Sequence, residues 1–237
     1  MTAPTVGVTT AVQNMTIANL SKSLTHRIQR MHVFSAPKEA PIPPAITYAA
    51  TGSDSPQLIN LDPEDGWDDM GLIGSDDAPS WERDIETVDL LAIGFRDSIR
   101  SDVTTDVANL TATFLEWKRP VLEAYENIDM SGITPDPVTG ELRWVRAQDA
   151  PLIERRYAAY GQDGVGADRV WIVKFLTAGV LDTADAQAWG GEEYSTFPVT
   201  LKGNVDTDIG TSLITCMGGP GLRSHLEDMG FPAHVGP

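Results

Sequence analysis

The 237-residue chain is short of basic residues, with 17 Lys and Arg against 34 Asp and Glu and a net charge of −17. A surface of that sign repels phosphate, which excludes tight nucleic-acid binding but not the enclosure of nucleic acid without adhesion. There is one cysteine, Cys216, so an internal disulfide framework is excluded. That usage fits a reducing compartment, and Cys216 reads as a small buried hydrophobe. No apolar run approaches the roughly 20 residues needed to span a bilayer. The N-terminus lacks the unbroken apolar core of a secretory leader. Its acid-poor, amphipathic, Ser-containing character also describes an organelle transit peptide.

Catalytic signatures are missing as well. The four histidines, His26, His32, His225 and His234, form no H-x-x-x-H pair and have no cysteine close by in sequence, which argues against a zinc site. There is no nucleophile elbow, Walker loop or G-x-G-x-x-G. Asp62 to Trp67 is a poor calcium loop, because its glycine falls one place early and no twelfth-position glutamate follows. Paired carboxylates such as Asp68/Asp69 and Glu192/Glu193 are expected by chance among 34 acids. The expectation is a protein that is not an enzyme and uses no cofactor or metal.

What the sequence does contain centres on residues 103–128. Ala108, Leu110, Ala112 and Phe114 alternate with Asn109, Thr111 and Thr113, the pattern of a strand with one buried and one wet face. Past Trp117 the period changes. Val121, Leu122, Tyr125 and Ile128 share one helical face, and Pro120 suits a first helical turn. About ten residues do not sustain a helix alone, so this one must lie against a sheet.

Residues 1–38 hold no acid but contain Lys22, Arg27, Arg30 and Lys38. Ile17, Leu20, Leu24, Ile28 and Met31 recur at steps of three and four, which predicts a short amphipathic helix; Met31–Phe34 reads equally as the start of a strand. Pro37, Pro41, Pro43 and Pro44 then end regular structure. Between 51 and 89, twelve acids face Arg83 alone, read as mostly solvated loop. Short strands are predicted at Trp67–Ile73, with Gly71 at a bulge, and at Trp81–Phe95, with Asp97-Ser98 as a turn. Leu142 and Trp144 alternate with Arg143 and Val145, and 153–160 is open between strand and helix. Gly161–Gly166 reads as a hairpin turn. Arg169–Thr177, apolar on both faces, is expected to be the most buried strand. Phe197, Val199 and Leu201 alternate in a later strand, Thr207–Met217 completes the series, and the last twenty residues read as a tail.

Short strands with turn signals and one clear helix predict a mainly β fold, a β-sandwich or barrel. The expected organisation is an N-terminal arm over 1–45, a β-sandwich over 46–217 with its helix near 119–128, and a C-terminal tail over 218–237.

Taken in order, four segments resemble the major tail tube protein of long-tailed bacteriophages, particularly those of actinobacterial hosts. M-H-V-F-S-A-P-K-E-A-P-I-P-P from Met31 resembles the family's first strand and Pro-rich loop. W-D-D-M-G-L-I from Trp67 is similar to the segment that follows. T-T-D-V-A-N-L-T-A-T-F-L-E resembles its Thr-rich strand, which precedes a short helix. F-P-V-T-L-K-G-N-V-D-T-D-I-G from Phe197 is similar to its late strand. Together they span roughly residues 31–215; the long segment before Met31 and the size of the acidic stretch depart from the pattern.

The resemblance implies a β-sandwich with one helix, six copies closing into a ring through joined inner sheets, and rings stacking into a conduit for DNA. It implies a virion tail protein assembled in the host cytoplasm, with a tape measure protein, tail tip and tail terminator as partners, no membrane, and no catalytic residue. From charge, Lys22, Arg27 and Arg30 are expected to dock on an adjacent subunit. Asp102, Asp106, Asp206 and Asp208 are expected to line the lumen. Two other functions fit the composition: a monomeric carbohydrate- or surface-binding sandwich presenting Trp67, Trp81 and Trp189, and a hydrolase using an acidic pair.

Overall fold

The computed structural model describes residues 24–49, 55–75, 78–187, 189, 191 and 194–232. Ten strands and two short α-helices make up the described fold. They are β1 (Arg30–Pro37), β2 (Thr47–Ala49), β3 (Pro56–Leu58), β4 (Asp68–Asp69), β5 (Ser80–Leu90), β6 (Arg100–Phe114), α1 (Arg119–Glu126), β7 (Arg155–Asp163), β8 (Val170–Ala184), β9 (Phe197–Asn204), β10 (Leu213–Gly218) and α2 (Pro220–His225). All strand pairs are antiparallel.

The strand read as most buried organises the molecule. β8 is 15 residues long and pairs with β7 along one edge. Its other edge is shared end to end: β10 lies along Trp171–Leu176 and β9 along Ala178–Ala184. The sheet therefore divides on β8. One layer runs β4-β1-β7-β8-β10, and the other runs from the C-terminal half of β8 through β9 and β6 to β5. The two β8 edges converge at Gly179, where an added Cβ would lie 2.6 Å from the Tyr157 ring. Only a glycine lets those backbones and that ring coexist.

The main core lies between the layers. Val33, Tyr157 and Leu176 meet Leu110, Phe114, Val199 and Leu201, and α1 closes one side with Val121, Leu122 and Ala124. The outer face of the first layer is buried too. Ala158, Tyr160, Val173 and Phe175 are covered by the Pro-rich excursion after β1, which delivers Ile46, Leu61 and Trp67. The Trp67 indole donates to the Pro41 carbonyl at 3.0 Å. Burial on both faces is why β8 reads as an almost continuous apolar run.

The alternation in β6 holds as expected, with Ala108, Leu110, Ala112 and Phe114 all buried. On the opposite face the Thr111 and Thr200 hydroxyls meet at 3.0 Å across β6 and β9. Helix α1 begins at Arg119 with Pro120 in its first turn and ends at Asn127, which is left-handed at φ 53°. The ambiguous stretch at 153–160 is strand from Arg155 on, the first six residues of β7.

Several expectations are corrected. Of the predicted N-terminal helix, residues 1–23 fall outside the described residues, and its C-terminal end is not helical because the chain is in β1 from Arg30. β1, the first strand expected within 1–45, pairs with β7 along its whole length and buries Val33 and Ala36. The Trp67–Ile73 strand shrinks to two residues, because Gly71, at φ 88°, turns over the Asp69 carboxylate, which accepts its N–H. β5 stops at Leu90, so the predicted strand to Phe95 is cut short, and Leu91, Ile93 and Phe95 lie in an exposed turn. Gly161 to Asp163 belong to β7, and the turn starts only at Gly164. Residues 142–145 form no strand, and the C-terminal tail contains α2, which buries Leu222.

Candidate functional site

The most exposed apolar feature is the ribbon formed by β5 and β6. Beyond Ala108 it leaves the core, and its turn carries Leu91, Ile93 and Phe95, with Ile93 fully exposed. Ile85, Val88, Ile99 and Val103 are further exposed apolar residues along the ribbon. β6 contributes an unpaired extra residue at Thr104, since Glu86 opposes Thr105 while Thr87 opposes Val103. Such a bulge increases twist and re-aims the ribbon. The ribbon's polar contacts are internal. The Arg83 guanidinium donates to both oxygens of Asp106 at 2.7 and 2.6 Å, and Ser101 donates to Asp89. The Arg83 hydrogen bond holds the Asp106 carboxyl below its usual range.

Unpaired sheet edges are the second feature. Among the described residues, β5 pairs only with β6 and β10 only with β8, so each leaves an outer edge free. β9 is not such an edge, because β6 and β8 occupy both its sides. A free edge is a template for adding another chain.

A third feature is an apolar slot at the open end of the core. The Met31–Gly161–Ile172 row forms its floor, Trp81 from the foot of β5 forms a wall, and its volume is about 180 Å³. The Lys174 ammonium sits 4.9 Å from the Trp81 ring centroid, a cation–π contact. His32 joins Lys174 in the lining, and among the described residues no acid does.

A larger groove of about 490 Å³ lies between the Pro-rich excursion and α1. Each of its cations is already engaged: Lys38 with Glu154, Arg119 with Asp68 at 2.9 Å, and Arg155 with Glu123 at 3.0 Å. The Glu123 carboxylate, buried on α1, also accepts the Met130 N–H at 3.1 Å. This network ties α1 to β7.

Among the described residues the acidic-pair reading finds no geometry at Asp68/Asp69. Asp68 and Asp69 are consecutive strand residues and point to opposite faces. Asp68 pairs with Arg119, while Asp69 lies 3.7 Å from Lys118. Glu192 and Glu193 lie outside the described residues. Among the described residues no group of three or more His, Cys, Asp or Glu is arranged to hold a metal ion, and no helix is long and apolar enough to cross a membrane. Cys216 is half-buried and burial raises its thiol pKa, which disfavours the reactive thiolate.

The residues singled out from sequence separate widely. Lys22 lies outside the described residues. The Arg27 backbone N–H donates to Asp163 at 3.1 Å, and Arg30 opens β1 opposite Gln162. Asp102 pairs with Arg100 at 2.7 Å, and Asp106 with Arg83, both on the ribbon. Asp206 is fully buried, and its carboxylate accepts from Arg156 at 3.0 Å and from the Asp208 N–H at 2.9 Å. Asp206 therefore cannot line a channel, whereas Asp208 is exposed. Of the three tryptophans proposed as a binding platform, Trp67 is core, Trp81 is half-covered by Lys174, and Trp189 is exposed. The ribbon turn was missed as a surface, although the Gly94 that turns it and the apolar residues around it were a usable signal.

No protein-family model matches the chain, and no curated protein matches it in sequence. Among solved structures it is similar to the anti-feeding prophage cap, described as a tube terminating cap, at 9% identity and a TM-score of 0.41 over 85% of this chain and 99% of that one. Similarity of that degree specifies neither a shared fold nor a shared function.

Proposed function

We propose that this chain is a structural subunit of a phage tail tube, which assembles with copies of itself into rings that stack around a DNA conduit. The observation that carries this reading is the β5–β6 ribbon, an apolar-tipped projection whose far half is exposed and whose outer edge is unpaired among the described residues. A monomer gains nothing by holding Ile93 and Phe95 in water, since burial of each such side chain is worth about 1.5–3 kcal/mol. Association removes both the apolar exposure and the open edges.

The four sequence segments that resemble the tail tube family support the specific form: six copies per ring, a tape measure protein with tail tip and terminator as partners, and assembly in the host cytoplasm into a virion tail. The excess of acid suits a wall that must not hold its cargo, because a basic lining would bind the duplex through counterion release. Asp102, Asp106 and Asp208 are the acids available to such a wall. Lys22, Arg27 and Arg30 remain the basic group offered to an adjacent acidic subunit. Analytical ultracentrifugation of the full chain across concentration and salt tests the reading. Ring-sized or larger species support it, and a monomer throughout rejects it.

A further inference from the structure

The ribbon and the slot lie at opposite ends of one element. Trp81, at the foot of β5, is a wall of the slot, and Ile93 and Phe95 crown the turn at the far end. Nine residues of paired strand, Glu82 to Leu90, separate Trp81 from the turn, about 30 Å at the usual rise. Because β5 and β6 are paired from Ser80–Thr111 to Leu90–Arg100, the ribbon cannot double back on its own foot. A tip that enters a slot therefore enters the slot of another copy.

Deepening the self-assembly reading, on which it rests, we propose that the Ile93–Phe95 turn of one subunit seats in the slot between Met31, Gly161, Ile172 and Trp81 of a second copy. The occupant fits in three ways. About 180 Å³ accommodates one large apolar side chain. The slot exists because residue 161 is glycine: a Cβ there would lie 3.0 Å from both Ile28 and Ile172 and would take up the space. Charge agrees in sign, since residues 80–106 carry seven acids against three bases, whereas among the described residues Lys174 and His32 are the charged or chargeable groups of the lining.

The contact is heterologous, because tip and slot are different surfaces. Repetition closes into a ring or continues as a filament, depending on the rotation between copies. Each subunit offers one tip and one slot, so a tip-dead copy and a slot-dead copy together can make only a single contact.

That arithmetic supplies the test. The tip variant is Ile93→Glu with Phe95→Glu, and the slot variant is Ile172→Glu with Lys174→Glu, all in the full chain and each checked for a native melting transition. Each variant alone is expected to raise the concentration for half-maximal assembly by about tenfold or more, the scale of keeping one large apolar side chain out of a pocket. An equimolar mixture is expected to stop at the dimer. A photo-crosslinking residue at position 95 of otherwise unaltered protein is expected to mark peptides from 28–32 or 159–174 of another copy, and this readout stands even if a substituted chain fails to fold. If the unaltered chain assembles but the slot variant does so equally well, or if position 95 crosslinks to another tip or to residues 1–23, the proposal is overturned while self-assembly stands. If the unaltered chain never leaves the monomer, the self-assembly reading fails first.

Discussion

Arg156 donates to the Asp206 carboxylate at 3.0 Å, and neither side chain has appreciable access to water. Arg156 also donates to the Ala40 carbonyl. The pair joins β7, the β9–β10 connection and the Pro-rich excursion at one buried point. Removing one partner strands the other charge in a medium that cannot solvate it. Asp206→Ala is therefore expected to lower unfolding free energy by about 3–5 kcal/mol, whereas Asp208→Ala, at an exposed position, is expected to stay within about 0.5 kcal/mol. Urea denaturation of both variants checks the contrast.

The same pair sets a pH dependence. Burial alone would raise the Asp206 pKa, but the Asp208 N–H and the Arg156 guanidinium outweigh it and the net shift is downward. A depressed carboxyl pKa contributes stability above the unfolded value, about 3.9 for Asp. That contribution is lost as pH falls through the lower folded value. Stability followed by thermal melting is expected to be nearly flat from pH 7 to about 5 and to fall below about 4. Asp206→Asn is expected to start lower at neutral pH and to lose less on acidification.

Asn127 ends α1 in the left-handed region at φ 53°, and its side chain donates to the Pro151 carbonyl and accepts the Ile153 N–H, both at 3.0 Å. It thereby fixes the return of the long connection that leads into β7. Asn127→Ala and Asn127→Gly lose the same two bonds, but only glycine takes the positive φ without penalty. The alanine variant is expected to be less stable than the glycine variant by about 1 kcal/mol, as measured by denaturant midpoints.

β1 makes the N-terminal boundary sharp. A chain beginning at Leu24 retains all described elements. A chain beginning at Pro37 loses almost all of β1, with buried Val33, Ser35 and Ala36 and the pairing to β7. Circular dichroism is expected to show a cooperative melt for the first and none for the second. Only the first can therefore report whether the basic N-terminal segment contributes to assembly.

The sequence was most informative where one element has one environment. β6 could be read from its alternation and α1 from its stripe and Pro120, because each has a single buried face. β8 was legible as buried but not as the strand on which the sheet divides, since a run apolar on both sides carries no sign of its neighbours. The ribbon misled for a related reason: Leu91, Ile93 and Phe95 have the parity of a strand, yet no partner within the chain covers them. Asp206 misled because its neighbours Thr207 and Asp208 are turn-like and exposed, and only tertiary structure brings Arg156 to it. In each case the missing information was what lies on the far side of the residue.

The proposed negative wall has a direct consequence in solution. Assembled protein is expected not to retain linear duplex DNA in co-sedimentation at about 0.05 M salt, where phosphate attraction to a basic surface would be strong. Retention that weakens steeply with added salt would place a basic lining in the channel.

The central claim is that the apolar ribbon and open edges of this chain are completed by further copies of it. Negative-stain electron microscopy of the concentrated full chain tests this most directly. Closed rings or stacked tubes with an open bore are the predicted result, and a field of single, uniform monomers at every concentration and salt would contradict it.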